Sequence, residues 1–306
     1  MPDRELAAVK NSFRQIPNLE CRIASVLRDT YDQIYYGQKT GRFRVSQLFK
    51  TEKTHFGSLV EINLRREFEQ EIQDGNKMDY QIAGVEVDCK FSQKLGGWMI
   101  PLEARGEVCL LVWAEDTATP KWSMGLVRAS ESHLNSGGNQ DKKVTLNKAG
   151  MQAVEWLFKN AEMPPNVLLQ LPDVDVARIF QNRSSGQQRI NELFRVAQKR
   201  RIGRAIIATV AQQEDYMKRV RGNGGARSLL KPEGIIILGD YCSHKTLARK
   251  LGLPEPQEGE FVSARVYPAE RNKPSDCLKA SISGSILWRL AGPNDPVVEA
   301  PKLPSI

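Results

Sequence analysis

From Val85 to Lys90 the chain reads Val85-Glu86-Val87-Asp88-Cys89-Lys90, apolar and charged residues in strict alternation. That is the period of a half-buried strand. Val85, Val87 and Cys89 are expected to face a core, with Glu86, Asp88 and Lys90 on the opposite face. Two residues apart, Asp88 and Lys90 stand about 7 Å from each other along such a strand. A second carboxylate, Asp79, precedes Tyr80-Gln81-Ile82, which reads as the partner strand of a hairpin turning near Gly84. Two carboxylates beside an ammonium group on a rigid sheet suit metal-assisted hydrolysis of a phosphodiester. The carboxylates offer hard oxygen ligands to a divalent cation. The cation polarises the phosphate and acidifies a water, and the lysine orients that water or stabilises developing charge.

The spacing resembles the PD-(D/E)xK nuclease pattern, with Asp79 as its first acid and Asp88-Cys89-Lys90 as acid-x-lysine; Met78 stands where that pattern has proline. A D-x-K triplet alone is a weak signal, because charged edge strands that discourage aggregation carry the same residues. The elements around it must therefore carry weight. Leu19, Ile23, Val26/Leu27, Tyr31 and Ile34 recur at helical spacing, predicting an amphipathic helix over 19–35 that stops at Gly37. Lys39, Arg42, Arg44, Lys50 and Lys53 follow, a basic stretch that reads equally as a solvated turn or a phosphate contact. Thr54 is expected to cap a second helix with Phe56, Leu59/Val60, Leu64 and Phe68 inward. Glu61 lies on that helix and adds a third carboxylate if it leans over Asp79 and Asp88. Val108–Trp113 is continuously apolar, a strand buried on both faces. Trp122–Val127 reads as another strand and Met151–Lys159 as a helix.

The 306 residues suffice for two domains. With 41% hydrophobic and 26% charged residues the chain is globular, excluding disordered and membrane classes. No stretch has signal-peptide or transmembrane character. Five scattered cysteines (Cys21, Cys89, Cys109, Cys242, Cys277) fit a reducing cytoplasm and supply no zinc-binding pair. Three distant histidines leave a zinc hydrolase without ligands. The net charge of +8 is uneven: residues 1–160 hold 22 Lys+Arg against 21 Asp+Glu, residues 161–306 hold 22 against 15. Between Arg178 and Arg227, 12 basic residues face three acids, the footprint of a polyanion partner. Met163-Pro164-Pro165-Asn166 marks the boundary, dividing the chain into 1–163 and 164–306.

In the second part, Asp175–Phe180 reads as a short helix, and Ser184-Ser185-Gly186 leads into a helix over Gln187–Gln198. Ala205–Val210 reads as β-rich, and Gln212–Val220 as a helix ahead of a glycine-rich loop. Residues 235–238 and 260–267 read as strands and Thr246–Leu251 as a helix stopped by Gly252 and Pro254. The proline-rich tail from Gly292 reads as loosely ordered. Basic helix ends alternating with short strands suit a helix-turn-helix or winged-helix module. The candidate phosphate contacts are Arg189, Arg195, Arg201, Arg204, Lys218, Arg219, Arg221 and Arg227. Gln187, Gln188, Asn191, Gln212 and Gln213 have base-reading chemistry, yet polar helix faces carry such residues anyway.

Longer stretches resemble the NaeI-type restriction endonuclease family. They include Lys50–His55, Leu59–Asn63, Lys77–Tyr80, Ile82–Lys90, Trp98–Pro101 and Lys121–Arg128. Ala208–Gln213, Asp215–Arg221, Asn223–Arg227 and Lys231–Gly239 continue the resemblance through the second half. It implies an α/β (α+β) chain with a PD-(D/E)xK nuclease domain around a central mixed sheet at 1–163. At 164–306 it implies a catabolite-activator-like, winged-helix DNA-binding domain. It further implies a homodimeric type IIE enzyme cutting double-stranded DNA at GCCGGC, with a second DNA copy bound as effector. Glu61, Asp79 and Asp88 would then hold Mg²⁺, and Lys90 would be the catalytic lysine. Physics agrees with the dimer that the resemblance implies, since one constellation per chain must cut both strands of a palindrome. The rival readings are a mismatch-repair-type nicking endonuclease and a non-catalytic DNA-binding regulator.

Overall fold

The structure, a computed structural model, describes residues 3–181, 184–269, 278–282 and 286–304; Arg183 and Cys277 lie outside these. The chain forms two compact units, Met1–Tyr35 with Arg44–Pro165 and Tyr36–Phe43 with Asn166–Ile306. Its class is mixed α/β.

The chain begins with α1 (Arg4–Arg14) and α2 (Leu19–Tyr35), then leaves the first unit for the short α3 (Gly37–Thr40). It returns for α4 (Lys50–Glu67), β1 (Ile72–Asp74), β2 (Tyr80–Ile82), β3 (Val85–Ser92), β4 (Val108–Glu115), β5 (Lys121–Arg128), α5 (Lys148–Ala153) and β6 (Glu155–Glu162). The strands form one sheet in sequential order, antiparallel except for the parallel pair β3–β4. The alternation along β4 explains its double burial. Val108, Leu110, Val112 and Ala114 join the core under the N-terminal helices, with Ile23, Leu27, Tyr31, Phe56, Val60 and Leu64. Cys109, Leu111 and Trp113 pack on the other face with Trp98, Ile100, Val144 and Leu146. The β2–β3 hairpin closes on Ala83 (φ 52°) and Gly84 (φ 78°), the two left-handed residues that a tight hairpin turn needs.

Two elements of this unit differ from what their residues suggest. Thr54 is not a cap: α4 starts four residues earlier, with the Glu52 side chain accepting the Phe49 N–H at 2.8 Å, and the Thr54 hydroxyl bonds back to the Lys50 carbonyl. Residues 151–159 are not one helix. α5 ends at Ala153 and β6 pairs along β5 through two register shifts, which hide the strand's period of two.

The second unit contains α6 (Val167–Gln170), α7 (Asp173–Ile179), α8 (Gly186–Val196), α9 (Arg204–Ala211), α10 (Ala226–Leu229), β7 (Ile235–Gly239), α11 (Cys242–Lys250), β8 (Phe261–Pro268), β9 (Lys279–Ser281) and β10 (Leu287–Leu290). The strands form an antiparallel sheet of order β7-β8-β10-β9. α3 is tied in by Gln38 Nε2 donating to the Gln213 carbonyl at 3.0 Å, and the Asn166 side chain donates to the Phe43 carbonyl at 3.3 Å. Ser185 and Gln188 form a reciprocal capping box at the start of α8. Residues 205–210 are helical, not β: a short run, apolar but for Thr209, has no readable period, and Ile206 through Ala211 are all buried. Gln212, in left-handed conformation, ends α9, so the expected helix over 212–220 shrinks to a 3₁₀ turn at Tyr216–Val220. The tail lacks regular structure yet is anchored. Asp295 takes two bonds from Arg289, the Ala300 N–H donates to the Lys231 carbonyl at 2.9 Å, and Ala300 is buried. Among the described residues, no helix is long and apolar enough to cross a membrane.

Candidate active site

The β2–β3 ladder runs from Ile82↔Val85 to Tyr80↔Val87 and stops there. Beyond Val87 this edge of β3 has no paired strand among the described residues, and the Asp79 carboxylate takes the place of the next partner. Its Oδ2 accepts the Cys89 N–H at 2.8 Å. This satisfies a backbone donor that the end of the ladder would orphan, and it fixes Asp79 beside the triplet. Lys90 Nζ then reaches Asp88 Oδ1 at 2.7 Å, the Cys89 carbonyl at 3.0 Å and Asp79 Oδ2 at 3.3 Å. The even spacing of Asp88 and Lys90 on one strand makes their contact possible. Cys89, between them, points into the helix-side core.

Glu61 reaches the site from α4. The Tyr80 hydroxyl, buried at the start of β2, donates to the Glu61 carbonyl at 2.7 Å and so pins this turn of α4 next to Asp79. Glu61 and Asp79 line one cleft of about 420 Å³ with Arg65, Arg66, Glu69 and Asp74. Arg65 pairs with Asp74 across it. The loop that carries Asp79 is held by Glu86, whose carboxylate accepts the N–H groups of Asn76, Lys77 and Met78 at 3.0, 3.1 and 2.9 Å. Tyr80, Glu86 and Arg65 all escaped sequence reasoning. The only hint was that Glu86 shares a strand face with Asp88.

The electrostatics follow from partial burial. Asp88 is only 4% exposed, and this desolvation pushes its carboxyl up to about 6 against the pull of Lys90. Burial alone would lower Lys90, but the Asp88 carboxylate overrides it and holds the ammonium above the ordinary lysine range. Glu61 is raised by burial and then by the charge of Asp79. Three backbone donors hold Glu86 below the usual carboxylate range. Among the described residues no three His, Cys, Asp or Glu side chains stand as a ready metal cage. Two carboxylates converge on Lys90, and Glu61 shares a cleft with one of them, Asp79, while Asp88 and Lys90 are not among its lining residues. An ammonium seated between Asp79 and Asp88 marks where positive charge is stabilised, and every candidate donor there is a carboxylate oxygen. The residues therefore fit a hard divalent cation by chemistry.

The basic residues singled out in the second unit divide by partner. Arg189 is turned inward: its guanidinium donates to the carbonyls of Val210, Ala211 and Ser184 at 2.6, 2.7 and 2.7 Å, capping the end of α9. Arg227 donates to the Ile237 carbonyl at 3.0 Å and lies over the Tyr241 and Phe261 rings. Arg195 forms a fork-to-fork pair with Glu233 at 2.7 and 2.8 Å, and Arg219 is held by Gln213 and Asp215. Lys218 and Arg201 stand 3.7 Å from Asp215 and Glu260, respectively, and remain accessible. Arg204 and Arg221 are exposed. Spacing alone does not reveal which arginines cap carbonyls, because two of the three carbonyls that recruit Arg189 belong to another helix.

Residues 8–299 match the model of a family described as restriction endonuclease NaeI. The chain is 48% identical to the type II restriction enzyme NaeI of Lentzea aerocolonigenes over 309 aligned positions, covering 99% of this chain and 95% of that enzyme. The likeness runs through both units, so this chain belongs to the NaeI family of restriction endonucleases, type II site-specific deoxyribonucleases.

Proposed function

We propose that this enzyme hydrolyses both strands of double-stranded DNA at a palindromic site, GCCGGC by resemblance, with Mg²⁺ as cofactor and as a homodimer. In this reading the first unit is a PD-(D/E)xK nuclease domain. The second is a catabolite-activator-like, winged-helix domain that binds another duplex as effector and couples its occupancy to cleavage. The observation that carries the reading is the convergence of Lys90 Nζ on Asp88 Oδ1 at 2.7 Å and Asp79 Oδ2 at 3.3 Å, beside the cleft that Glu61 lines.

Asp79, Asp88 and Glu61 would hold the cation, which when bound neutralises charge at the scissile phosphate and makes a nearby water easier to ionise. Asp88 is fixed by its strand, and Asp79 by the Cys89 N–H. Glu61 is fixed through the Tyr80 bond to its carbonyl. Lys90 keeps its proton because two carboxylates face it. It can thus orient the attacking water and stabilise negative charge growing on the phosphate. In the second unit, Arg201, Arg204, Lys218 and Arg221 would meet phosphates. Arg189, Arg195, Arg219 and Arg227 would shape the surface that presents them.

The test is digestion of a sequenced plasmid with Mg²⁺, followed by end-mapping, with and without an oligonucleotide carrying the mapped site. Linear product with ends at one palindrome, formed faster with the oligonucleotide, supports the reading. Persistent nicked circles favour a nicking endonuclease, and uncut DNA under all conditions favours a regulator.

A further inference from the structure

Asp79 belongs to no helix, and only its neighbour Tyr80 begins the two-stranded ladder. The Cys89 N–H holds its carboxylate, and the path of residues 75–78, without regular structure between β1 and β2, brings its backbone there. Three successive N–H groups in that segment converge on one side chain. Asn76 donates to Glu86 Oε1 at 3.0 Å, and Lys77 and Met78 donate to Oε2 at 3.1 and 2.9 Å. Gly75 closes the turn: a Cβ there would collide with the Met78 carbonyl and come within 2.9 Å of Glu86 Oε2. Glu86 lies in the ladder opposite Gln81, two residues before Asp88 on the same strand. One rigid strand therefore supplies Asp88 directly and braces the loop that delivers Asp79.

Resting on the proposed cleavage site, we propose that Glu86 is a positioning residue that sets Asp79 at the distance from Asp88 that a shared cation requires. Glu86 acts through the backbone of 76–78, not on substrate, so it is not itself catalytic. Its two oxygens have different tasks, one bond at Oε1 and two at Oε2. A glutamine has a single carbonyl oxygen, so it accepts either the Asn76 bond or the Lys77 and Met78 pair while its amide faces the remaining donor. The graded series Glu86, Gln and Ala should loosen Asp79 stepwise. Supporting groups of this kind typically shift metal affinity by about 10- to 100-fold.

The experiment compares wild type, Glu86→Gln, Glu86→Ala and Asp88→Ala. The first readout is Mn²⁺ binding to the DNA-free protein by electron paramagnetic resonance. The others are amide exchange of Asn76–Met78 without metal, thermal melting, and cleavage over a range of Mg²⁺ concentrations. The expected result is Mn²⁺ affinity weakened about tenfold or more in Glu86→Ala and less in Glu86→Gln. The 76–78 amides should exchange faster in both, and excess Mg²⁺ should recover most of the cleavage rate. Glu86→Gln is isosteric and keeps part of the clamp, so it reports even if Glu86→Ala folds poorly. If Asp88→Ala loses Mn²⁺ while both Glu86 variants bind it like wild type, the positioning role is overturned and the site stands. If Asp88→Ala also binds Mn²⁺ normally, the site reading falls and the role of Glu86 with it.

Discussion

Asp116 follows the last residue of β4, and its side chain is completely buried. It accepts two bonds from Arg28 of α2, at 2.6 and 3.0 Å, and one from the Tyr35 hydroxyl at 2.8 Å. Replacing it by alanine leaves a guanidinium, 9% exposed, with Asp32 at 2.9 Å as its remaining carboxylate. Breaking one side of a buried ion pair costs about 3–5 kcal/mol. The surviving Asp32 bond places Asp116→Ala near the lower end, about 3 kcal/mol. With a urea dependence of about 2 kcal/mol per molar, the unfolding midpoint should fall by about 1.5 M. Tryptophan fluorescence is the assay, because Trp98, Trp113, Trp122 and Trp156 all lie in the first unit. A midpoint for Asp116→Ala within about 0.3 M of wild type would refute this reasoning.

Tyr80→Phe removes the bond to the Glu61 carbonyl and should cost about 1 kcal/mol of stability; single-turnover cleavage should fall while DNA affinity holds. Arg189→Ala leaves three carbonyls without their donor, so thermal melting should report a loss of about 2–3 kcal/mol. Arg204→Ala and Arg221→Ala should leave melting unchanged, weaken duplex binding, and each reduce the salt slope of the binding constant by about 0.9. His244 is buried, and this desolvation, with Arg227 nearby, holds its imidazole down at about 4 instead of 6.5. Its contribution to stability is therefore full above pH 6.5 and is lost as pH falls through 4, about 3 kcal/mol in all. The fall in urea midpoint from pH 7 to 4.5 should be smaller in His244→Asn than in wild type.

The hairpin that presents the site was readable because its signals are local. A period of two fixes which face Asp88 and Lys90 share, and the two-residue turn at Ala83-Gly84 fixes the register with Tyr80. The helix α2 and the doubly buried β4 were readable for the same reason. β6 was misread because two register shifts against β5 erase its alternation. α9 was misread because a helix buried from Ile206 to Ala211 carries the same aliphatic and β-branched residues as a buried strand. Contacts made across elements left no mark in the sequence. The Tyr80 bond to Glu61 spans 19 residues, the Arg189 cap more than 20, and the passage of Tyr36–Phe43 into the second unit follows no shift in composition.

Scission of a duplex carrying the mapped site, by Asp88→Ala and Lys90→Ala beside wild type, tests the central claim most directly. Binding of the same duplex should be measured in Ca²⁺. Both variants should bind the duplex within about twofold of wild type and lose detectable cleavage at saturating Mg²⁺. Cleavage by either variant at the wild-type rate would contradict the assignment of Asp79, Asp88, Glu61 and Lys90 to the chemistry.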